Sequence, residues 1–334
     1  MVAPPNPQDC LKLGQVVQVN GQDFTCNVEG SLYGYYPNLG ANAFFVAIFA
    51  LCFLWQLVCG IRYKTWTYMV SAKFHHRYQH HSDPTKQIAL SLGCALEAVG
   101  YGGRIMLNND PLSPPGFKVQ ITLLIISPAF LSAGIYLSLK HIVVSFGEEW
   151  SRLRPALYTY IFITCDIISL ALQGAGGGIA ASAIAGSSQQ DVGTNLMIAG
   201  VVFQVVILLC FGYFLVEYAL RTLRRKDRWT PETMALYHST GFRTYMTAIV
   251  IAYTGIFIRC IYRVPELAGG WRTEIMRNET EFIVLEGVMI VIAVLALTIA
   301  HPGYCFPVLS STIGKNKKAR KSLEDSDVEM RRDS

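Results

Sequence analysis

The sequence predicts an all-α polytopic membrane protein: a seven-transmembrane helix bundle with its N-terminus outside and its C-terminus cytosolic. The composition is one reason, because 52% of the 334 residues are hydrophobic and 15% are charged, as is typical of integral membrane proteins. A second is the presence of seven apolar runs, since a helix needs about 20 apolar residues to cross a hydrocarbon core of about 30 Å. The third is that Lys and Arg concentrate in alternate loops, which places those loops in the cytosol.

The seven runs form one transmembrane domain at residues 41–303, between an extracellular tail at residues 1–40 and a cytosolic tail at residues 304–334. Backbone polar groups in lipid must be satisfied within their own segment, so each run is expected to be a helix. The first is expected to insert uncleaved, because no charged leader precedes it. The predicted spans are residues 41–61, 88–107, 120–139, 156–177, 194–218, 242–262 and 281–300.

This topology also explains the net charge of +5, and we expect no nucleic-acid partner. Anionic lipids of the inner leaflet are expected to attract a basic cluster in the cytosolic tail. Its residues are Lys315, Lys317, Lys318, Arg320 and Lys321. The loop after the first span holds His76 and His80, one helical turn apart, but no Cys or carboxylate nearby completes a convincing set of metal ligands. A basic loop on the membrane surface is therefore favoured there over a metal site.

The predicted outer side carries two candidate modification sites. Cys10 and Cys26 both lie in the extracellular tail, where an oxidising environment permits a disulfide. Asn278 begins an Asn-Glu-Thr acceptor sequence for N-glycosylation in the last outer loop, close to the seventh span.

The second span carries an acid and a base, Glu97 and Arg104, with Tyr101 between them. A charge at the centre of a membrane helix costs roughly 2.5–3.5 kcal/mol on insertion scales, so it usually faces the bundle interior or an aqueous cavity. Seven residues are two helical turns, which places both side chains on one face but about 10.5 Å apart along the axis. They cannot pair closely with each other, and we expect their partners on other helices.

The other spans supply those partners. Asp166 and Gln173 share one face of the fourth span, and Glu286 lies inside the seventh, while the outer end of the sixth carries Arg259, Arg263 and Glu266. We predict that Arg104 or Arg259 pairs with at least one of Glu97, Asp166 and Glu286, because an unpaired buried charge is costly. The sequence thus indicates an outward-facing polar vestibule. Glu97 is expected near mid-membrane beside Asp166, and Arg104 further out in a rim with Arg259 and Glu286. The alternative is that such pairs only fix the helix register.

In these residues the sequence resembles the fungal lipid-translocating exporter family, the RTA-like seven-span proteins linked to aminocholesterol resistance. The matching motifs occur in order over the second to seventh spans. They are Glu97-x-x-Gly-Tyr-x-x-Arg104, Pro128 to Ile135-Tyr136, Asp166-x-x-Ser-Leu-x-x-Gln173, Arg259-x-x-Tyr-Arg263-x-x-Glu266, Glu279 and His301-Pro-Gly. Two features depart from the family pattern: Ile283-Val-Leu-Glu286 replaces Tyr-x-Phe-Asp, and Pro265 enters the sixth-span motif.

The resemblance implies export of amphipathic lipids across the plasma membrane, such as sphingoid long-chain bases or aminosterols, with porphyrin handling in some members. Other endomembranes are the alternative location. A cationic amine headgroup would suit the carboxylates Glu97 and Asp166. No ATP-binding motif occurs, so we expect no ATPase activity of its own. As a transporter the protein is expected not to be an enzyme, and we expect no catalytic residues, no metal and no cofactor. The alternative function is a seven-transmembrane lipid sensor or receptor. A metal-dependent lipid hydrolase is disfavoured because only His141 and His301 approach the spans, at their cytosolic ends.

Overall fold

The computed structural model of the chain is almost entirely helical. It describes residues 9–10, 13–19, 21–28, 31, 33–62, 84–146, 151–152, 155–183, 187–229, 231–268 and 274–300. The predicted basic cluster of the cytosolic tail and the histidines of the first cytosolic loop lie outside the described residues.

Long helices make up the body of the protein. Five of them are α1 (Leu39–Arg62), α2 (Pro84–Asn109), α3 (Pro114–Phe146), α4 (Pro155–Ser182) and α5 (Ser188–Arg224). A single 3-10 turn (Lys226–Arg228) and the short helix α6 (Pro231–His238) lead into α7 (Thr240–Ala268). The last span is composite, with short α8 (Glu274–Arg277) before it, and runs through α9 (Glu279–Glu281), a π-helical segment (Phe282–Val288) and α10 (Met289–Ile299).

Six of the described helical segments are long and apolar enough to cross a membrane. They correspond to the predicted first span and to the third to seventh, with ends that differ by a few residues. The protein is an all-α, polytopic integral membrane protein, as predicted. The second predicted span corresponds to α2, which has 26 residues but is more polar than the other six. It packs against both α1 and α3. The segments are Leu39–Cys59, Pro114–Lys140, Leu157–Ala180, Ser188–Arg224, Thr240–Ala268 and Glu279–Ile299.

Several helices extend beyond the apolar runs that predicted them. The longest, α5, has 37 residues where the sequence predicted a span at 194–218. Ser187 caps its N-terminus by accepting a hydrogen bond from the amide of Gln190, and Arg221 and Arg224 lie in its last turn. Both features stabilise helix ends, the second by interacting favourably with the helix dipole. Hydropathy marks only the apolar part of such a helix, so the predicted bounds were too short.

Glycines allow neighbouring helices to approach closely, for example between α2 and α3 and between α4 and α5. A Cβ built on Gly103 of α2 would lie 2.9 Å from the carbonyl oxygen of Gly116 on α3. One built on Gly176 of α4 would lie 2.6 Å from the carbonyl oxygen of Gly193 on α5. Within the glycine-rich stretch that ends the fourth predicted span, Gly176 is therefore a helix-packing position, and α4 stays helical through the stretch.

The amino-terminal segment contains a small hairpin that the sequence analysis missed. Strands β1 (Val16–Val19) and β2 (Gln22–Thr25) pair antiparallel, with Gly21 at a φ of +79° in the turn. A disulfide joins Cys10 to Cys26. Both cysteines pack against Leu112, between α2 and α3, so the hairpin rests on one end of the bundle.

Candidate functional site

Arg259 is the centre of a charged network inside the bundle. It lies on α7 with an exposed fraction of 1%. Its guanidinium donates to the carboxylate of Glu97 on α2, to Oε1 of Glu286 at 2.8 Å and to the backbone carbonyl of Leu124 on α3. One side chain thus binds three other elements of the bundle, and the predicted pairing of Arg259 with an intramembrane carboxylate is present.

Arg263, one turn further along α7, extends the network. It donates to Glu266 Oε2 at 3.0 Å and to the same Oε1 of Glu286 that Arg259 contacts. Glu286 belongs to the π-helical segment, a geometry that occurs frequently at functional sites. α7 continues through Pro265 to Ala268, so Arg263 and Glu266 lie on one helix in spite of the proline between them.

Arg104 occupies a separate, largely aromatic site. Its guanidinium carbon lies 3.8 Å from the ring centre of Phe282 and 5.3 Å from that of Tyr33. It donates to the Tyr35 hydroxyl at 2.8 Å and lies 3.7 Å from Oε1 of Glu279. Arg104 is fully buried. Within the described part of the chain its ion-pair partner is Glu279, and it has no hydrogen bond or ion pair with Glu97, as expected, or with Glu286, with which it was predicted to group. Cation–π attraction replaces part of its lost hydration.

The segment before α1 covers Arg104. Tyr33 accepts a hydrogen bond from Gln120 at 2.8 Å, and the amide of Asn38 donates to Glu279 Oε1 at 2.6 Å. Burial raises the pKa of both Tyr33 and Tyr35, so both phenols are neutral at physiological pH. Sequence reasoning missed these tyrosines because hydropathy treats a polar tail as linker. The available signal was Tyr33-Gly-Tyr-Tyr immediately before the first span.

The polar face of α4 forms its own set of contacts. Gln173 donates to Ser169 Oγ at 2.7 Å and to Gln204 Oε1 of α5 at 3.1 Å, and Ser169 donates to the Gly200 carbonyl at 2.7 Å. Asp166 contacts Ser132 of α3 instead. Asp166 was predicted to lie beside Glu97. In the structure the two carboxylates bind different partners, Asp166 on α3 and Glu97 on α7.

Tyr101 packs towards α1. Its ring stacks on Phe49 with centroids 5.8 Å apart and lies 4.8 Å from Phe45. The hydroxyl is buried and has no hydrogen-bond partner among the described residues. It is therefore a polar group with unused hydrogen-bonding capacity close to the charged network.

A small cavity lies beside the network. Its volume is about 20 Å³, room for roughly one water molecule. Two arginines and two glutamines supply its polar side, and apolar side chains the rest. Eight of the nine predicted site residues are buried, and the side chain of Arg263 is 11% exposed, so the expected vestibule is not open in this conformation. The lining residues are Leu124, Ile125, Pro128, Gln173, Val201, Gln204, Arg259, Cys260, Arg263 and Leu267.

Two further sequence features can be placed. Asn278 is exposed and caps α9, accepting from the amide of Glu281 at 3.4 Å, and its glycosylation stays a prediction. Across the described ranges, no group of three or more His, Cys, Asp or Glu side chains is arranged to hold a metal ion.

These features define a class: a polytopic membrane protein whose helix bundle has an apolar outer surface and a buried arginine–carboxylate network in its interior. The family described as RTA1 like protein matches residues 90–308, well over half of the chain. The chain belongs to this family, and the match includes all nine predicted site residues.

Several curated relatives come from Saccharomyces cerevisiae. The sphingoid long-chain base transporter RSB1 of strain ATCC 204508 / S288c is 30% identical over 245 residues, 65% of this chain and 64% of the relative. Protein RTA1 is 26% identical over 285 residues, 81% and 84% of the two chains. Protoporphyrin uptake protein 1 is 27% identical over 211 residues, 62% and 65%. The chain thus spans about two thirds of the length of the first of these. No solved structure matches.

Proposed function

We propose that this protein exports amphipathic lipids with a cationic headgroup, of the class of sphingoid long-chain bases or aminosterols, across the plasma membrane. The observation that carries the proposal is the placement of Arg259 between Glu97 and Glu286 inside the bundle of a chain similar to a sphingoid long-chain base transporter. We assign the pathway to Glu97, Tyr101, Arg104, Asp166, Gln173, Arg259, Arg263, Glu266 and Glu286.

The network can bind an ammonium group through the same charge-assisted hydrogen bonds to carboxylates that its arginines already make. Oε2 of Glu97 and Oε2 of Glu286 are buried and have no hydrogen-bond partner within the described part of the chain. An ammonium carries three donors, and a carboxylate with a spare oxygen can hold one while its other oxygen stays on an arginine. A primary amine would thus meet partly occupied carboxylates.

The rest of the lipid needs an apolar path. The cavity beside Arg259 combines the Gln173 and Gln204 amides with Leu124 and Val201, which suits a molecule with a polar head and an apolar chain. Because the cavity admits only about one water, passage requires the helices around it to separate. The tyrosine segment over Arg104 would then act as the outer barrier.

We propose seven spans, with α2 as the second and the amino terminus outside. At 1.5 Å per residue, a 26-residue helix is about 39 Å long, enough to cross the membrane. Its charged side chains Glu97 and Arg104 are fully buried against other helices, which lowers the cost of that crossing. The Cys10–Cys26 disulfide suits an extracellular location. The basic tail, Lys315 to Lys321, would rest on the inner leaflet.

The protein would act as a translocator and not as an enzyme, without a cofactor or an ATPase activity of its own. Movement would then be downhill or coupled to an ion. The test is transfer of a fluorescent long-chain base across liposomes that contain the purified full-length protein. We expect transfer by the wild type, slower transfer by Glu97→Gln, and unchanged transfer by Glu217→Gln, the same change in an ion pair with exposed Arg221 outside the network.

Equal transfer in protein-containing and empty liposomes would contradict translocation. If the lipid instead altered the protease accessibility of the cytosolic tail without any transfer, the sensor alternative would replace it. Equal slowing by Glu97→Gln and Glu217→Gln would show that the network is not the pathway.

A further inference from the structure

Asp166 differs from the other buried carboxylates of the bundle. It lies on α4 with an exposed fraction of 3%. Glu97, Glu266 and Glu286 each bind an arginine, whereas Asp166 has no ion pair among the described residues. Its Oδ1 is buried without a hydrogen-bond partner there. A carboxylate ion in such a place would bear most of its desolvation cost uncompensated.

Among the described residues, the titratable neighbours of Asp166 do not supply a positive charge. From α3 it faces Ser132 and Tyr136, and from α7 it faces Cys260. Cys165 is adjacent on α4, and from α5 the thiol of Cys210 lies near Cys165. The Tyr136 hydroxyl is buried beside the Asp166 carboxyl and Ser132, but outside ordinary hydrogen-bond geometry to either of them.

The contacts of Ser132 indicate which group carries the proton. Ser132 Oγ lies 3.0 Å from the carbonyl oxygen of Ala129 and 2.8 Å from Oδ2 of Asp166. A carbonyl oxygen can only accept, and a serine hydroxyl has one proton to donate. Both contacts are full hydrogen bonds only if Ser132 donates to Ala129 and accepts from a protonated Asp166. Sharing one proton between two acceptors would leave an ionised Asp166 with a fraction of one bond and no cation, which is the costlier arrangement.

We propose that Asp166 is a proton-binding site that is occupied in this closed conformation. The Asp166 carboxyl, with Ser132 as its acceptor, closes the α3–α4 interface. Loss of the proton would leave a buried ion, so it requires the interface to open and admit water or a cation. Binding and release of a proton would therefore accompany opening and closing of the bundle. As the coupling step of lipid export, this inference rests on the proposed function, but the proton site itself does not.

The direct test is infrared spectroscopy of the purified full-length protein in lipid at neutral pH. A protonated carboxyl gives a carbonyl stretching band, and the shift of this band in D2O assigns it to a carboxyl group. We expect this band in the wild type, its loss in Asp166→Asn, and its retention in Asp191→Asn, the same change at an exposed position in the first turn of α5. Ser132→Ala should keep the band but move it, because the carboxyl loses its acceptor.

A wild-type spectrum without the band, or one that Asp166→Asn leaves unchanged, would overturn the proposal. If Asp166→Asn does not fold, Ser132→Ala provides the test. A band at the same position as in the wild type would mean that the proton is bound by a group other than Asp166. In liposomes, an imposed pH gradient should change lipid transfer by the wild type and by Asp191→Asn, but not by Asp166→Asn. A band without any lipid transfer would support the proton site and contradict the proposed function, and transfer that is indifferent to the gradient would contradict the coupling.

Discussion

Arg259 of α7 and Glu97 of α2, 162 residues apart in the chain, form an ion pair that is almost completely shielded from solvent. Burying two charges is costly, and their attraction repays that cost only when the geometry is good and other hydrogen bonds complete it. Here the Leu124 carbonyl and Glu286 complete the guanidinium's contacts. The pair therefore determines how α2, α3 and α7 meet.

Glu97→Gln should destabilise the protein strongly. It leaves Arg259 buried with one carboxylate fewer, and removing one partner of a buried pair typically costs about 3–5 kcal/mol. Glu217→Gln is the matched control, since Glu217 pairs with the more exposed Arg152 and Arg221, and such surface pairs contribute about 0–1 kcal/mol. Thermal unfolding in detergent micelles would measure the difference. Equal shifts in the two variants would mean that the Glu97 pair does not stabilise the bundle.

Tyr35→Phe should loosen the segment that covers Arg104. It removes a hydrogen bond from a buried guanidinium, an interaction worth about 1.5–3 kcal/mol when one partner is charged. Hydrogen exchange in residues 33–38 and at the end of α2 that carries Arg104 should therefore speed up. Tyr36→Phe is the control, because Tyr36 is 49% exposed. If the two variants exchanged alike, the Tyr35 contact would have no role in closing the site.

Gly176→Ala should push α4 away from α5. The added Cβ would lie 2.5 Å from the backbone nitrogen of Met197, and overpacking of this kind typically costs about 1–3 kcal/mol. Gly174→Ala is the matched control on the same helix, since a Cβ there meets nothing within 4 Å and alanine favours the helix. The thermal unfolding temperature should fall for Gly176→Ala and stay the same or rise for Gly174→Ala. The reverse order would contradict the packing described for this interface.

Replacing Cys10 and Cys26 by serine should release the amino-terminal hairpin. The disulfide closes a loop of about 15 residues, for which the chain-entropy model gives about 3 kcal/mol. We expect proteolysis within residues 9–28 to accelerate while the unfolding temperature of the helices changes little. Protection equal to that of the wild type would show that the contact with Leu112 holds the hairpin without the disulfide.

The sequence identified the charged residues of the site but not all of their partners. Glu97, Arg259 and Glu286 stand out because an ionisable side chain in an apolar run needs a reason to be there. Periodicity gives the face of each side chain on its own helix, and it cannot give the rotation of one helix against another. Asp166 was for that reason placed with Glu97, although it faces Ser132.

The parts that the sequence analysis missed are polar or locally irregular. Tyr35 lies in a tail without hydrophobic periodicity, and its role depends on a contact with Arg104, 69 residues away. The hairpin is short, and its two four-residue strands gave too little alternation to recognise. The π-helical segment reads in the sequence as an ordinary apolar helix, because the pattern of hydropathy does not record one extra residue in a turn.

That extra residue gives the last span a way to rearrange without breaking. A π-turn contains one residue more than an α-helical turn. If it relaxes to α-helix, that residue shifts into the adjoining helix, and the helix before the turn rotates by about 100° relative to the helix after it. Glu286 lies within the segment, so such a shift would swing its carboxylate away from both Arg259 and Arg263 in one movement. Two ion pairs would then open together as a ratchet step along one helix. The helix would lose no backbone hydrogen bonds, because each carbonyl would only change to the amide of a neighbouring residue.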